Sequence, residues 1–129
     1  MSSVKDTLIG ARALIADIEH WTQGNHAIEN TGARVDPLAD AAYAYCADGA
    51  LCRAARGFTG AEGFSNARYE EAYEVLKAAS QRLFGHNPVN VNDGDYWDAE
   101  LENASEEDFP KLCHERVLEV FDDAIAHAA

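Results

Sequence analysis

Apolar residues recur every three to four positions in four stretches of this chain, a spacing typical of amphipathic helices. Four helices are therefore predicted, over residues 4–20, over residues 37–56, from Ser65 or Asn66 to the position before Gly85, and from Ser105 or Asp108 onward. We expect a mainly α-helical fold, a single compact domain over residues 1–129.

Local signals mark some of the predicted helix ends. Ser3 followed by Asp6 is a capping box, and Asp36 followed by Pro37 is a typical helix start. Gly57 is a typical stop signal for the second helix. These signals favour the boundaries that the apolar periodicity gives.

The two stretches that lack a helical period predict at most a small β element. Residues 26–36 carry the turn-rich triplet Asn30–Gly32, which could close a hairpin. In residues 88–92, valine alternates with asparagine, which indicates a very short strand.

The second predicted helix is unusually rich in alanine and contains Gly49. Glycine inside a helix costs roughly 1 kcal/mol relative to alanine. Gly49 therefore predicts that another backbone, or a bulky side chain such as Trp21 or Trp97, comes close to this helix.

The chain is strongly acidic, with a net charge of −13, and twelve acidic residues against two basic ones lie between position 93 and the end. This charge argues against direct nucleic-acid binding and against binding to anionic membranes, and leaves a basic protein partner open. No apolar run approaches the roughly 18 residues that span a bilayer. A charge follows soon after the first residue, so a secretory signal is not expected and a cytoplasmic location is.

The three cysteines, Cys46, Cys52 and Cys113, are expected to be free thiols in a reducing compartment. The first two are six positions apart, on different faces of the predicted second helix, too far apart to form a disulfide without distortion. Buried small apolar side chains are the commonest role for such residues.

Three short motifs lie in order along the chain. They are Trp21-Thr-Gln-Gly24, Cys46-Ala-Asp-Gly-Ala-Leu51, and Asn92-Asp93 ahead of the final helix. Together they resemble a small bacterial and phage protein family of unknown function with W-T-Q-G, C-x-x-G-A-L and N-D motifs. The resemblance implies a shared fold and brings no activity or ligand with it.

A thiol nucleophile is the sharpest enzymatic hypothesis for this chain. Cys46 would need a base such as His86 and an orienting group such as Asp93 within hydrogen-bond reach. Cys46 is predicted inside the second helix rather than at its positive end, where a thiolate is stabilised. An inert packed thiol is the preferred interpretation.

No metal or cofactor is predicted. The histidines lack i, i+4 spacing and the cysteines lack a C-x-x-C pair. A calcium loop ending at Glu100 would place Val89 and Val91 where oxygen ligands are needed. The glycines between 57 and 63 lack the strand and the lysine of a phosphate-binding loop.

Trp21 and Trp97 each stand beside polar residues, which favours a place at the edge of the core for both rings. The same arrangement could line a site for a ligand or partner. The candidates for such a site are Trp21, Gln23, Asn92, Asp93 and Trp97.

The sequence predicts most directly a cytoplasmic, non-enzymatic binding or interaction domain. One alternative is an acidic decoy that inhibits a nucleic-acid-binding protein, as phage or anti-defence proteins do, by presenting carboxylates to its basic surface. The other is a Cys46-dependent hydrolase. The apolar stripe of the fourth helix fits a buried core and a homodimer equally well.

Overall fold

The computed structural model describes residues 3–59 and 67–128. In this part the chain is mainly helical, as predicted, with one two-stranded antiparallel sheet. The helices are α1 (Val4–Ile15), α2 (Ala47–Thr59), α3 (Ala67–Phe84), α4 (Pro88–Asp93), α5 (Ala99–Asn103) and α6 (Asp108–His127). The strands are β1 (Ala27–Ile28) and β2 (Ala44–Tyr45). No helix in this described part is both long and apolar enough to span a membrane.

Helix α1 begins at the predicted capping box. The Asp6 amide donates to Ser3 Oγ (3.1 Å), and the Ser3 amide donates to Asp6 Oδ2 (3.3 Å). The helix ends at Ile15 rather than at residue 20, and a separate 3₁₀ turn follows over Ile18–His20. Asp17 caps this turn by accepting from the Glu19 amide (2.9 Å), so a second local start signal interrupts the apolar period.

The predicted start of the second helix at residue 37 was wrong. Asp36 caps a turn instead of a helix, because its Oδ1 accepts from the Leu38 amide (2.8 Å). The Arg53 guanidinium fixes that turn by donating to the carbonyls of Pro37 (3.2 Å) and Ala39 (3.0 Å). The helix itself begins ten residues later and runs through Gly57 to Thr59.

The β element differs from the predicted hairpin. Strand β1 pairs with the distant β2, in the register Ala27 to Tyr45 and Ile28 to Ala44. The predicted turn over residues 30–32 is present, and the backbone pairs across it, with Glu29 donating to Ala33 (2.8 Å) and Val35 donating to Ala27 (3.1 Å). This pairing amounts to a single antiparallel bridge between Ile28 and Arg34. A sheet with two residues in each strand is too small to be stable alone. Because β2 lies just before α2, its pairing with β1 attaches β1 to the start of that helix.

The predicted strand over residues 88–92 was also wrong, since these residues form helix α4. Asn87 caps it by accepting from the Asn90 amide (2.8 Å), and Pro88 occupies the first turn, where no amide donor is needed. A four-residue alternation is too short to outweigh a complete helix-start signal. Helix α5 was not predicted, because its five residues show no period.

The third and fourth predicted helices correspond to α3 and α6. The predicted caps at Ser65 and Asn66, and most of the glycine-rich loop, lie outside the described residues. Helices α1, α2, α3 and α6 pack around a common apolar core. Its largest fully buried apolar side chains include Leu8, Ile15, Leu51, Leu76 and Phe121.

Candidate functional site: the Asn92 network and the Trp97 loop

The side chain of Asn92 is the centre of a buried hydrogen-bond network. It lies in the last turn of α4 and is 1% exposed. Its Oδ1 accepts from the Trp21 indole Nε1 (2.8 Å) and from the backbone amide of Ala47 (2.9 Å). Its Nδ2 donates to the Thr22 carbonyl (3.1 Å) and to Asp93 Oδ1 (3.0 Å). An amide side chain offers two donors and two acceptor positions, so Asn92 is saturated. We call these contacts, with those of Gln23 and Gly24 described next, the Asn92 network.

The neighbours of Trp21 and Asn92 complete the same network. Gln23 Nε2 donates to the Asn92 carbonyl (3.0 Å), and the Gly24 amide donates to Asp93 Oδ1 (3.0 Å). The structure thus brings together four of the five candidate site residues, Trp21, Gln23, Asn92 and Asp93. They hold the 21–24 segment, the start of α2 and the end of α4 to one another.

The local sequence around Asn92 explains its position. Pro88 and Val91 are buried on the same helix, which turns Asn92 toward α2. Gly94 then ends α4 in the left-handed conformation (φ +68°). A Cβ on Gly94 would lie 2.5 Å from Phe109 Cζ and 2.8 Å from Cys113 Sγ, so any larger residue would also displace these two side chains of α6.

The close approach predicted at Gly49 is present, and the approaching group is backbone rather than tryptophan. A Cβ on Gly49 would lie 1.9 Å from the His26 carbonyl oxygen. The same oxygen accepts from the Cys46 amide (3.2 Å). Gly49 therefore lets the backbone of His26, just before β1, lie directly on the first turn of α2.

Cys46 was predicted inside the second helix and instead directly precedes it. The side chain stands at the cap position, where Sγ accepts from the Gly49 amide (3.3 Å). The residue is 7% exposed. Burial, supported by the negative charges of Asp48 and Asp93, raises the pKa of Cys46 to about 11, although the Gly49 amide lowers it. The thiol is protonated at neutral pH.

A recess of about 100 Å³ opens beside Cys46. It is lined by Gly24, Asn25, His26, Cys46, Val89 and Asp93. His26 Nε2 lies 3.0 Å from Asp48 Oδ2. In the part of the chain that the structure describes, no imidazole nitrogen lies within hydrogen-bond distance of the Cys46 sulfur.

The proposed base His86 is engaged elsewhere. Its ring packs against Tyr96, with the ring centroids 4.6 Å apart. The Ser80 hydroxyl donates to its backbone carbonyl (2.6 Å). The structure therefore brings Cys46 and Asp93 to one recess and leaves His86 in a different set of contacts.

Trp97, the fifth candidate, is outside the network. It was predicted at the edge of the core, and the residue is instead exposed, with 77% of its surface accessible. It lies in the segment between α4 and α5, residues 94–98, which we call the Trp97 loop.

Arg116, a buried residue of α6, holds the Trp97 loop in place through hydrogen bonds. Its guanidinium donates to Tyr96 Oη (2.8 Å), Asp98 Oδ1 (3.2 Å) and Glu100 Oε1 (2.6 Å), and lies 5.3 Å from the centroid of the Phe84 ring. Burial opposes the charge of Arg116, yet its hydrogen bonds to Asp98, Tyr96 and Glu100 outweigh that effect and raise its pKa. The hydrogen bond from Arg116 also lowers the pKa of Asp98.

Arg116 and His114 are the two residues in these clusters that sequence reasoning missed. His114 Nε2 lies 2.7 Å from the Ile15 carbonyl oxygen, and its ring lies 5.2 Å from that of Trp21. Both residues fall on the apolar stripe of the last helix, beside Cys113 and Val117. A charged or polar residue at a core-facing position of a helix is the signal that would have indicated buried partners for both.

The described residues contain no group of three histidine, cysteine or acidic side chains that could hold a metal ion. They also leave no buried side-chain nitrogen or oxygen without a hydrogen-bond partner. All three cysteines are free, and burial raises the pKa of each thiol.

Comparison with known proteins gives a family and no function. No curated protein and no solved structure matches this chain. A model built for a family of unknown function, DUF6197, matches residues 1–127. The chain belongs to DUF6197, a family of unknown function.

Proposed function

We propose that this protein is a non-enzymatic interaction domain that binds a protein partner through the surface around Trp97. The observation that carries the proposal is a tryptophan that is 77% exposed on a loop fixed by a buried arginine. Tryptophan is enriched among residues that dominate binding energy in protein interfaces. A loop already held in place loses little conformational entropy on binding.

The Asn92 network supports a structural role for the sequence motifs. Every polar atom of the Asn92 side chain is engaged by the protein itself. A catalytic or ligand-binding amide would need at least one donor or acceptor directed at a substrate. We assign the network to holding the segments together.

The surroundings of Cys46 weigh against the hydrolase alternative. A nucleophilic cysteine needs a lowered pKa and an adjacent base, whereas burial raises this pKa to about 11. The cap position at α2 would favour a thiolate, but the carboxylates of Asp48 and Asp93 oppose it.

Thiol labelling tests the non-enzymatic part of the proposal. With iodoacetamide at pH 7.5, we expect Cys46 to be alkylated at least about tenfold more slowly in the folded protein than in urea. Mass spectrometry of the digested protein separates Cys46 from Cys52 and Cys113. Labelling of Cys46 that is as fast in the folded state as in urea would restore the hydrolase alternative.

Site-specific photo-crosslinking tests the interaction surface. Benzoylphenylalanine at position 97, in the cells from which the protein comes, is expected to give a defined protein adduct. The matched control carries the same residue at Glu71, an exposed position on α3. An adduct at both positions, or at neither, contradicts the proposed surface.

The acidic decoy is a second candidate, favoured by one observation. Positions 95–108 hold seven acidic residues and no lysine or arginine. A decoy would bind its partner mainly by charge, so that salt would release it and Trp97→Ala would leave the affinity unchanged. Sensitivity to Trp97→Ala therefore separates the two candidates.

We infer a cytoplasmic location as part of the proposal. Its support is the free state of all three cysteines, since a reducing compartment keeps thiols unpaired.

A further inference from the structure

A groove next to the Trp97 loop combines apolar and acidic lining. It lies between α5 and α6 and has a volume of about 730 Å³. Its apolar lining comes from Ala99, Ala104 and the half-buried Leu112. Its first lining residue along the chain, Ala99, comes two positions after Trp97.

The charges along this groove are mostly negative. Glu100, Asp108 and Glu115 line it, with Lys111 as the single cation among the lining residues. Glu100 is engaged by Arg116. Asp108 and Glu115 are exposed and make no ion pair with any described residue, so their charges are available to a partner.

We propose that this groove binds a basic amphipathic segment of a partner protein, with Trp97 as the anchor at its edge. This inference rests on the proposed function and specifies the chemistry of the partner. Leucine-like side chains of the segment would cover the alanines and Leu112. Its lysines or arginines would face Asp108 and Glu115, and one of them would stack on the Trp97 ring.

Charge complementarity selects this occupant over a second copy of the chain. A copy that used the same face would bring the acidic lining of one groove against that of the other, and like charges across an interface disfavour association. The overall charge of −13 adds to that repulsion. A cationic segment turns the same carboxylates into favourable partners.

The probe for the test is a fluorescein-labelled peptide of roughly 14 residues, made of leucine and lysine and arranged to form an amphipathic helix. Two further peptides serve as controls, one in which every lysine is replaced by glutamate and one of lysine alone. We expect the leucine–lysine peptide to bind at least about tenfold more tightly than the lysine peptide in fluorescence anisotropy. The glutamate peptide should not bind.

Variants locate the binding on the protein. Trp97→Ala should weaken the binding of the leucine–lysine peptide about 30-fold, which is the effect of a typical interface hot spot. The double variant Asp108→Asn with Glu115→Gln should weaken it about three- to tenfold and lessen its salt dependence. The matched control is Glu70→Gln with Glu71→Gln on α3, which removes two exposed charges elsewhere and should leave the affinity unchanged.

Three results would overturn the inference: no binding of the leucine–lysine peptide, equal binding of the lysine peptide, or equal weakening by the α3 control pair. All these substitutions are at exposed positions, so we expect the variants to keep the fold, which circular dichroism checks.

The crosslinking experiment distinguishes a failure of the proposed groove chemistry from a failure of the proposed function. An adduct at position 97 to a partner without a basic segment would refute the groove chemistry and leave the interaction domain standing.

Discussion

The two tryptophans of this protein show how different two similar sequence contexts become in the fold. Trp21 is 7% exposed, its indole N–H donates to Asn92, and its ring faces His114. Trp97 is 77% exposed. Beside Trp21, Gln23 donates to the Asn92 carbonyl and joins the same buried network. Beside Trp97, Tyr96 and Asp98 accept from Arg116, while the Trp97 ring stays exposed.

The regions around the two rings differ in the same way. The Asn92 network satisfies its polar atoms internally, so it stabilises the fold and offers little to a ligand. The Trp97 loop and the adjoining groove are fixed by Arg116 while an aromatic ring and two carboxylates remain available. This combination of a supported loop and an exposed surface is the basis of the binding role that we propose for the second region.

The largest expected effect is that of Gly49→Ala in the interior region. The new Cβ would lie 1.9 Å from the His26 carbonyl oxygen, and backbone on both sides must shift to make room. We expect a loss of about 4 kcal/mol or more in the free energy of unfolding, measured with urea. Gly10→Ala is the control, because its Cβ would meet Ala54 at an ordinary 3.6 Å and the change should stabilise α1 by up to about 1 kcal/mol. Similar stabilities for both variants would refute the close contact.

The next effect is that of Asn92→Ala. This substitution leaves the indole N–H of Trp21 and the amide of Ala47 buried without an acceptor, and each such group costs about 1–3 kcal/mol. We expect a total loss of about 3 kcal/mol in urea unfolding. Asn90→Ala, on the same short helix, is the control and should be nearly neutral. If the two variants unfold at the same urea concentration, the Asn92 network does not stabilise the fold as described.

Arg116→Met should have an intermediate effect and should act mainly on the Trp97 loop. Because Asp98 and Glu100 are partly exposed (30% and 69%), they can be rehydrated, and we expect a loss of about 2 kcal/mol rather than the larger cost of a buried pair. Amide hydrogen exchange should become faster in residues 95–101 and remain slow at Trp21 and Ala47.

The control is Arg12→Met, which breaks an exposed ion pair with Asp122 and should lower the free energy of unfolding by less than about 1 kcal/mol. Unchanged exchange in the loop would show that Arg116 does not fix it.

The smallest effect tests the comparison most directly, with the same substitution at both tryptophans. Trp21→Phe removes a buried donor and should cost about 1–2 kcal/mol. Trp97→Phe changes an exposed ring and should alter stability by less than about 0.5 kcal/mol. Equal costs in urea unfolding would mean that the two rings share one environment.

The amino-acid sequence by itself determined the features that depend on neighbours along the chain. The capping box at Ser3, the periods of α3 and α6, and the mainly helical fold class follow from local propensity and amphipathic spacing. Gly49 also predicted a close approach by a backbone or a bulky side chain, because glycine in a helix is costly unless something needs the space, and the structure shows backbone there.

Only the tertiary structure decided the features that depend on partners far along the chain. Asp36 and Pro37 looked like a helix start, yet Arg53 and the pairing of β2 with β1 hold this segment in other conformations. Trp21 and Asn92 are 71 positions apart, and no local signal states that they bond. The burial of one tryptophan and the exposure of the other follow from where Asn92, His114 and Arg116 lie in space. Hydrogen bonds and packing between distant segments set those positions, and local propensity does not encode them.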